Sequence, residues 1–305
     1  MSGTSTPAGG PAAEAFVETL PAAPRAARAR GRRRGGWFAV RVVVAVLVTL
    51  VMAFPLYWMI VTAFSNRADV YAPGLHLWPQ RPTLENFTTP LQAFPVGTWV
   101  RNSLGIALLV TAITTSVNLL AGYAFAKMPF RGRTALFLLL LSTMMIPVQA
   151  IMVPQFDLVI DLGLYGSLWS VVLPTSATVF GIFLARQFFL AMPDELLEAA
   201  RVDGAGTLRT FVQIVLPLSR PLVAVLVLLT FMTAWNDFAW PLVVLFSSND
   251  LFTLPLGLVT DLKGQYGTNY GALMAMSLLL ILPMVVLFVA FQRYFVAGLA
   301  RSGIR

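Results

Sequence analysis

The sequence predicts an all-α polytopic membrane protein with six transmembrane helices, and three observations carry that prediction. Hydrophobic residues make up 58% of the 305 and charged residues 11%. A soluble domain carries about 25% charge, so this chain cannot coat a water-facing fold with ions. Six stretches between charged residues reach the roughly 20 residues needed to cross about 30 Å of hydrocarbon. Finally, 17 of the 21 Lys and Arg residues fall on one side of those stretches, the asymmetry that orients a chain in a bilayer.

The first 36 residues are rich in Pro, Ala, Gly and Arg and lack the apolar content that offsets chain entropy, which predicts a disordered cytoplasmic tail. Arg32, Arg33 and Arg34 before an apolar run have the form of a secretory signal. The run that follows exceeds a 7–15-residue signal core and contains Pro55, Tyr57 and Trp58 in place of a small-residue cleavage site, which favours an uncleaved first helix. The six spans within the 37–305 membrane domain are then Val42–Phe64, Asn102–Ala126, Thr134–Phe156, Leu162–Ala185, Pro221–Asn249 and Gly264–Gln292. An even number of crossings, read with the basic asymmetry, places both termini in the cytoplasm. The outer loop from Ser65 to Arg101 holds Pro73, Pro79, Pro82, Pro90 and Pro95, a density that argues against a long helix there.

The cytoplasmic segment 191–220 differs from the other loops. Pro193, Asp194 and Glu195 suit a helix start, Leu196, Leu197 and Ala200 give it one apolar edge, and Gly204 suits a stop at positive φ. Thr207 can cap a second short helix through Ile214, which Pro217 would end. Two short helices too polar to enter the membrane need something to pack against. Four acids outnumber three arginines in this segment, so a protein partner is favoured over anionic lipid.

Several function classes fall away. With no cysteine and one histidine, His76, disulfides are excluded and no metal site or Cys/His nucleophile is expected. A net charge of +8 without a folded basic face does not indicate nucleic acid. The only lysines, Lys127 and Lys263, follow Ala126 and Leu262, so no Gly-x4-Gly-Lys phosphate loop exists and ATP cannot be hydrolysed by this loop type here. Gly-x-Ser-x-Gly is absent as well. Asp237 is the single charge inside a span and should face a cavity or a partner group. Trp235, Asn236 and Trp240 beside it combine flat apolar faces with hydrogen-bonding groups suited to sugars, and a structural role near Pro241 is the alternative. Asn118, Gln149, Pro147, Pro154 and Gln155 are further candidates for a broken or pathway-lining helix.

The run Glu198-Ala199-Ala200, then Asp203-Gly204-Ala205, Phe211, Ile214, Leu216-Pro217 and Pro221 resembles the EAA loop of permease subunits from bacterial ABC importers. Thr83-Leu84-Glu85-Asn86-Phe87, Asn102-Ser103-Leu104, Gly122-Tyr123-Ala124-Phe125-Ala126, Trp235-Asn236-Asp237-Phe238 and Gln292-Arg293-Tyr294-Phe295-Val296 are similar to the carbohydrate branch related to the maltose system (MalG-like). The resemblance covers roughly residues 40 to 300. It implies a binding-protein-dependent inner membrane component that, with a second permease, forms a pathway for a carbohydrate. It further implies two partner ATPase subunits that use ATP and Mg, and an extracytoplasmic solute-binding protein. Within it, Glu198, Ala199, Ala200, Asp203, Gly204, Ala205, Leu216 and Pro217 would couple to the ATPase. A permease for another solute, such as a phosphorylated polyol or a polyamine, stays open, as does the less favoured secondary carrier, which would need ion-coupling carboxylates in several spans.

Overall fold

The computed structural model describes the backbone of residues 27–74, 76–262 and 269–302, and the side chains from 37 to 292 within those ranges. Residues 1–26, the greater part of the expected tail, and Lys263 lie outside the described residues. Helix α1, Ala27–Phe64, already includes residues 27–36 of that tail. Alternating Ala and Arg are good helix formers even without a core to pack on. The chain divides into two compact units, Met1–Leu56 and Tyr57–Arg305. In the first, every side chain from Trp37 to Leu56 is exposed. A helix that is apolar on all sides and uncovered by protein has lipid as its natural solvent.

The second unit continues from the end of α1. Two short helices follow, α2 (Arg67–Val70) and α3 (Glu85–Ala93), before α4 (Val96–Lys127), α5 (Arg133–Ser142), α6 (Val148–Asp161), α7 (Trp169–Val172) and α8 (Val179–Leu190). Next come α9 (Glu195–Val202), α10 (Thr207–Thr210), α11 (Leu216–Leu218), α12 (Arg220–Asn236), α13 (Ala239–Leu245), α14 (Leu254–Thr260) and α15 (Tyr270–Ser302). No β-ladder occurs among the described residues beyond an isolated bridge between Ser65 and Pro82.

Among the described residues, three stretches are continuous and apolar enough to cross a membrane: Trp37–Phe64, Val96–Lys127 and Tyr270–Gln292. The other three expected spans are not single helices. The third breaks into α5 and α6, which meet at 103°. Pro147 causes this, since the residue before a proline is pushed out of the helical region and Ile146 is extended at φ −87°, ψ 118°. The fourth is interrupted at its start. Gly163 takes φ +67°, and the Leu164 N–H reaches back to the Val159 carbonyl at 3.0 Å, a glycine-centred stop that closes α6. Helix then resumes in earnest only at α8, whose cap is Thr178 accepting from the Gly181 N–H. The fifth pauses at Asp237 and Phe238 between α12 and α13.

The residues between the fifth and sixth expected spans, which the sequence reading assigned to no element, contain a helix. Pro255 in the first turn starts α14, and all residues from Leu254 to Leu258 are buried. Gly257 lies so close to the Trp99 ring that a Cβ there would overlap it. The packing of α4 on α8 relies on the same device: a Cβ on Gly122 would overlap the Ala185 methyl, and one on Gly181 would overlap the Asn118 amide. Small residues at these points let two backbones approach closely where no hydrophobic effect separates helix from lipid.

Candidate functional site

The segment 191–220 folds as a helical hairpin seated on the ends of α4, α8 and α12. Leu197 from α9, with Phe211 and Val215, packs among Leu119, Tyr123 and Ala126 of α4, Ala185 and Phe189 of α8, and Leu222 and Leu226 of α12. Tyr123 meets Phe189 edge-on at 5.6 Å and Phe211 at 5.1 Å. Aromatic pairs at such spacings favour tilted or edge-to-face geometry, as found here.

Local chemistry explains the hairpin. Asp194 occupies the N-cap of α9 with Glu195 and Glu198 in its first turn, where carboxylates favour the positive end of the helix dipole. Gly204 stands at φ +77°. The Ala205 N–H reaches the Ala200 carbonyl at 2.9 Å and the Gly204 N–H reaches Arg201 at 3.0 Å, the paired bonds of a glycine-terminated helix. The second arm departs from expectation twice. Gly206, not Thr207, is the N-cap of α10. Pro217 does not end the helix either. A five-residue π segment, Phe211–Val215, widens the ladder just before it, with the Leu216 N–H bonded to the Phe211 carbonyl. The wider turn relieves the clash of the proline ring with the preceding turn. The helix then bends by 81° at Ser219 into α12.

The residues of the Glu-Ala-Ala run divide between two faces. Leu197 and Ala200 are buried against the chain itself. Glu198, Ala199, Asp203 and Gly204 are exposed, Ala205 is partly covered, Leu216 is half-buried and Pro217 is exposed. Val202 is 88% exposed and Leu208 71% exposed. The exposed side of the hairpin is acidic and apolar, and Ala200 belongs to its buried side.

Two residues that sequence reasoning did not assign to this site tie its neighbourhood together, Lys127 to the hairpin and Arg186, on α8, to α4 and α5. Lys127 Nζ, on a side chain only 7% exposed, sits 2.6 Å from Asp194 Oδ1 and donates to the Met192 carbonyl at 2.7 Å. Arg186 stacks 4.1 Å over the Phe137 ring and donates from Nε to the Phe125 carbonyl at 3.3 Å. A basic residue just after a long apolar helix was the available signal, since cations suit helix C-termini.

The pathway candidates do not form one cluster. Asn118 is fully buried and donates to Thr178 Oγ1 at 2.8 Å. Trp235 is buried with Nε1 bonded to the Leu280 carbonyl, and Trp240 is buried with Nε1 bonded to the Ser170 carbonyl. Asp237 is half-exposed and accepts from the Trp240 N–H at 3.4 Å, so it caps the start of α13. Asn236 and Gln149 are exposed, the first bonded back to the Met232 carbonyl. The motif residues near the outer loop are staples: Asn86 Nδ2 bridges the Ala63 and Ser65 carbonyls, and Asn102 Nδ2 bridges those of Asp250 and Phe252.

Long apolar helices with buried polar staples, joined to an exposed helical hairpin at their ends, define a polytopic membrane protein. Residues 118–301 match the family described as binding-protein-dependent transport system inner membrane component, and the chain belongs to that family of ABC importer permeases. It is 40% identical over 261 residues to the arabinooligosaccharides transport system permease protein AraQ of Halalkalibacterium halodurans, covering 85% of this chain and 93% of that protein. Its identity to AraQ of Bacillus subtilis is 34% over 262 residues, 85% and 92% of the two chains. It is also 34% identical over 267 residues to the sn-glycerol-3-phosphate transport system permease protein UgpE of Yersinia pestis bv. Antiqua, 85% and 95% of the two. The fold matches a chain of a bacterial ABC transporter involved in import of the acidic polysaccharide alginate, with a TM-score of 0.74 at 23% identity over 90% of this chain and 100% of that one.

Proposed function

We propose that this chain is one of two permease subunits that form the inward route for a carbohydrate in a bacterial inner membrane. An extracytoplasmic binding protein delivers the solute, and two separate ATPase subunits bind ATP and Mg and supply the energy. The chain crosses the bilayer six times, through α1, α4, the bent pair α5 and α6, α8 with the turn before it, α12 with α13, and α15, and both termini are cytoplasmic. Glu198, Ala199, Asp203 and Gly204 face the ATPase, while Ala200, Leu216 and Pro217 shape the hairpin behind them.

One observation carries this reading. The hairpin is anchored on one side by Leu197, Phe211 and Val215 and leaves Val202 and Leu208 open on the other, in a chain without a phosphate-binding loop. Solvent-exposed valine and leucine beside carboxylates suit a protein interface better than bulk water. For the solute, similarity to two arabinooligosaccharide permeases supports a carbohydrate.

The test is purification of the complex from native membranes, followed by uptake into proteoliposomes. An ATPase, a sibling permease and a binding protein should co-purify, and labelled oligosaccharides should enter only with ATP. Uptake of sn-glycerol-3-phosphate in their place would move the substrate to the phosphorylated polyols, and ATP-independent uptake would overturn the importer assignment.

A further inference from the structure

Helix α4 is fastened at both ends by polar side chains. At one end Lys127 Nζ holds Asp194 Oδ1 at 2.6 Å and the Met192 carbonyl at 2.7 Å, the residues that lead into α9. At the other, Asn102 Nδ2 donates to the carbonyls of Asp250 at 2.8 Å and Phe252 at 3.1 Å, and Ser103 Oγ accepts from the Leu254 N–H at 2.7 Å. The helix is unbroken between these points, which at 1.5 Å per residue lie about 38 Å apart.

The two kinds of contact under the hairpin do different work. The apolar seat of Leu197, Phe211 and Val215 resists separation but is non-directional, so it tolerates sliding. The ammonium of Lys127 is directional. Its stem is buried and it binds a backbone carbonyl as well as a carboxylate, which fixes the start of α9 in register with the end of α4. Asp194, at 72% exposed, would contribute little as a lone surface partner. The shared carbonyl makes the clamp.

Resting on the coupling reading above, we infer that Lys127 is the positioning residue that passes displacement of the hairpin to α4, and that α4 carries it to the outer segment 250–254 through Asn102 and Ser103. The hairpin and the outer segment then respond to nucleotide as one body. Lys127 acts through Asp194 and Met192 and touches neither ATP nor solute.

The experiment uses the full importer in nanodiscs. The chain has no cysteine, so once any cysteines of the other subunits are replaced, single spin labels report from Arg201→Cys on the hairpin and Asn249→Cys on the outer segment, both exposed. Spectra are recorded without nucleotide and after trapping with ATP, Mg and orthovanadate. With Lys127 present, both labels change on trapping. With Lys127→Met, the hairpin label still changes and ATP is still hydrolysed, while the trapped fraction seen at Asn249 falls about tenfold, within the usual range of a coupling free energy. Lys127→Arg restores it, which a merely structural loss would not predict. If Lys127→Met does not assemble, Asp194→Asn, altered at an exposed carboxylate, weakens the same clamp and should lower the outer response in part. An undiminished outer response in these variants overturns the inference, as does an outer label silent in the parent complex. A hairpin label that ignores nucleotide in the parent complex overturns the coupling reading instead.

Discussion

Asn118 and Thr178 exchange two hydrogen bonds where α4 crosses α8: the amide Nδ2 donates to Thr178 Oγ1 at 2.8 Å, and Oδ1 accepts from the Thr178 N–H at 3.1 Å. The same threonine hydroxyl caps α8 through the Gly181 N–H. A buried amide thus satisfies the frayed end of a neighbouring helix, where an unpaired donor in hydrocarbon would be costly. Asn118→Ala leaves the Thr178 N–H without its acceptor and should lower stability by about 1–3 kcal/mol. Thermal unfolding in detergent measures this, and an unchanged midpoint would contradict the capping role.

In the connection between α1 and α4, hydrogen bonds from Arg81 to Asp69 hold its carboxyl below the ordinary carboxylate range; the guanidinium lies 2.8 Å away. A group whose pKa is depressed by folding stabilises the fold above its unfolded value and loses that contribution as pH falls through its folded value. The tie between α2 and Arg81 should therefore persist at neutral pH and weaken only in acid, below the usual Asp value of about 3.9. Asp69→Asn should flatten the acid limb of a pH–stability profile. An acid limb identical to that of the parent would show that other carboxylates set it.

Asp237 sits in the pause between α12 and α13, half-exposed and bonded to the Trp240 N–H. Asp237→Ala should change uptake kinetics or solute preference and leave the ATPase bound, because the two flanking tryptophans remain held by the carbonyls of Leu280 and Ser170. Transport assays on reconstituted complexes decide it, and unaltered kinetics would reduce Asp237 to a helix cap.

Glu198→Arg reverses charge on the open face of the hairpin, and Gly204→Pro forbids the φ of +77° found there. Both variants should insert into membranes normally and uncouple ATP hydrolysis from uptake. Wild-type uptake by either would remove that residue from the coupling surface.

Much of this was legible in the sequence, and the failures have physical causes. The stop at Gly204 follows from glycine's freedom at positive φ, and the break at Pro147 follows from the missing N–H and the strained residue before it. Charge counting marked where apolar stretches lie but could not see the interruption at Gly163, because a glycine-terminated helix carries no charge. Nor could it see α14, whose apolar residues are buried in protein and not in lipid. At the site, the motif located the hairpin, yet it could not separate Ala200 beneath from Ala199 above, since both are small. Lys127 entered the sequence reading only as one of the 17 basic residues on one side and as evidence against a phosphate loop. Its tie to Asp194 spans 67 residues and depends on how α8 returns the chain to the end of α4. Asn86 and Asn102 were visible as motif letters, and only the fold reveals that each bridges two backbone carbonyls.

In the proposed assembly the exposed face of α9 meets a separate ATPase. Val202→Cys, at a position 88% exposed in a chain without native cysteine, can be treated with a thiol-to-amine crosslinker in the purified complex. The account predicts an adduct joining this chain to the ATPase subunit, absent for Asn249→Cys on the outer segment. A complex that retains its ATPase yet forms no such adduct from Val202→Cys, or forms it equally from Asn249→Cys, would contradict it.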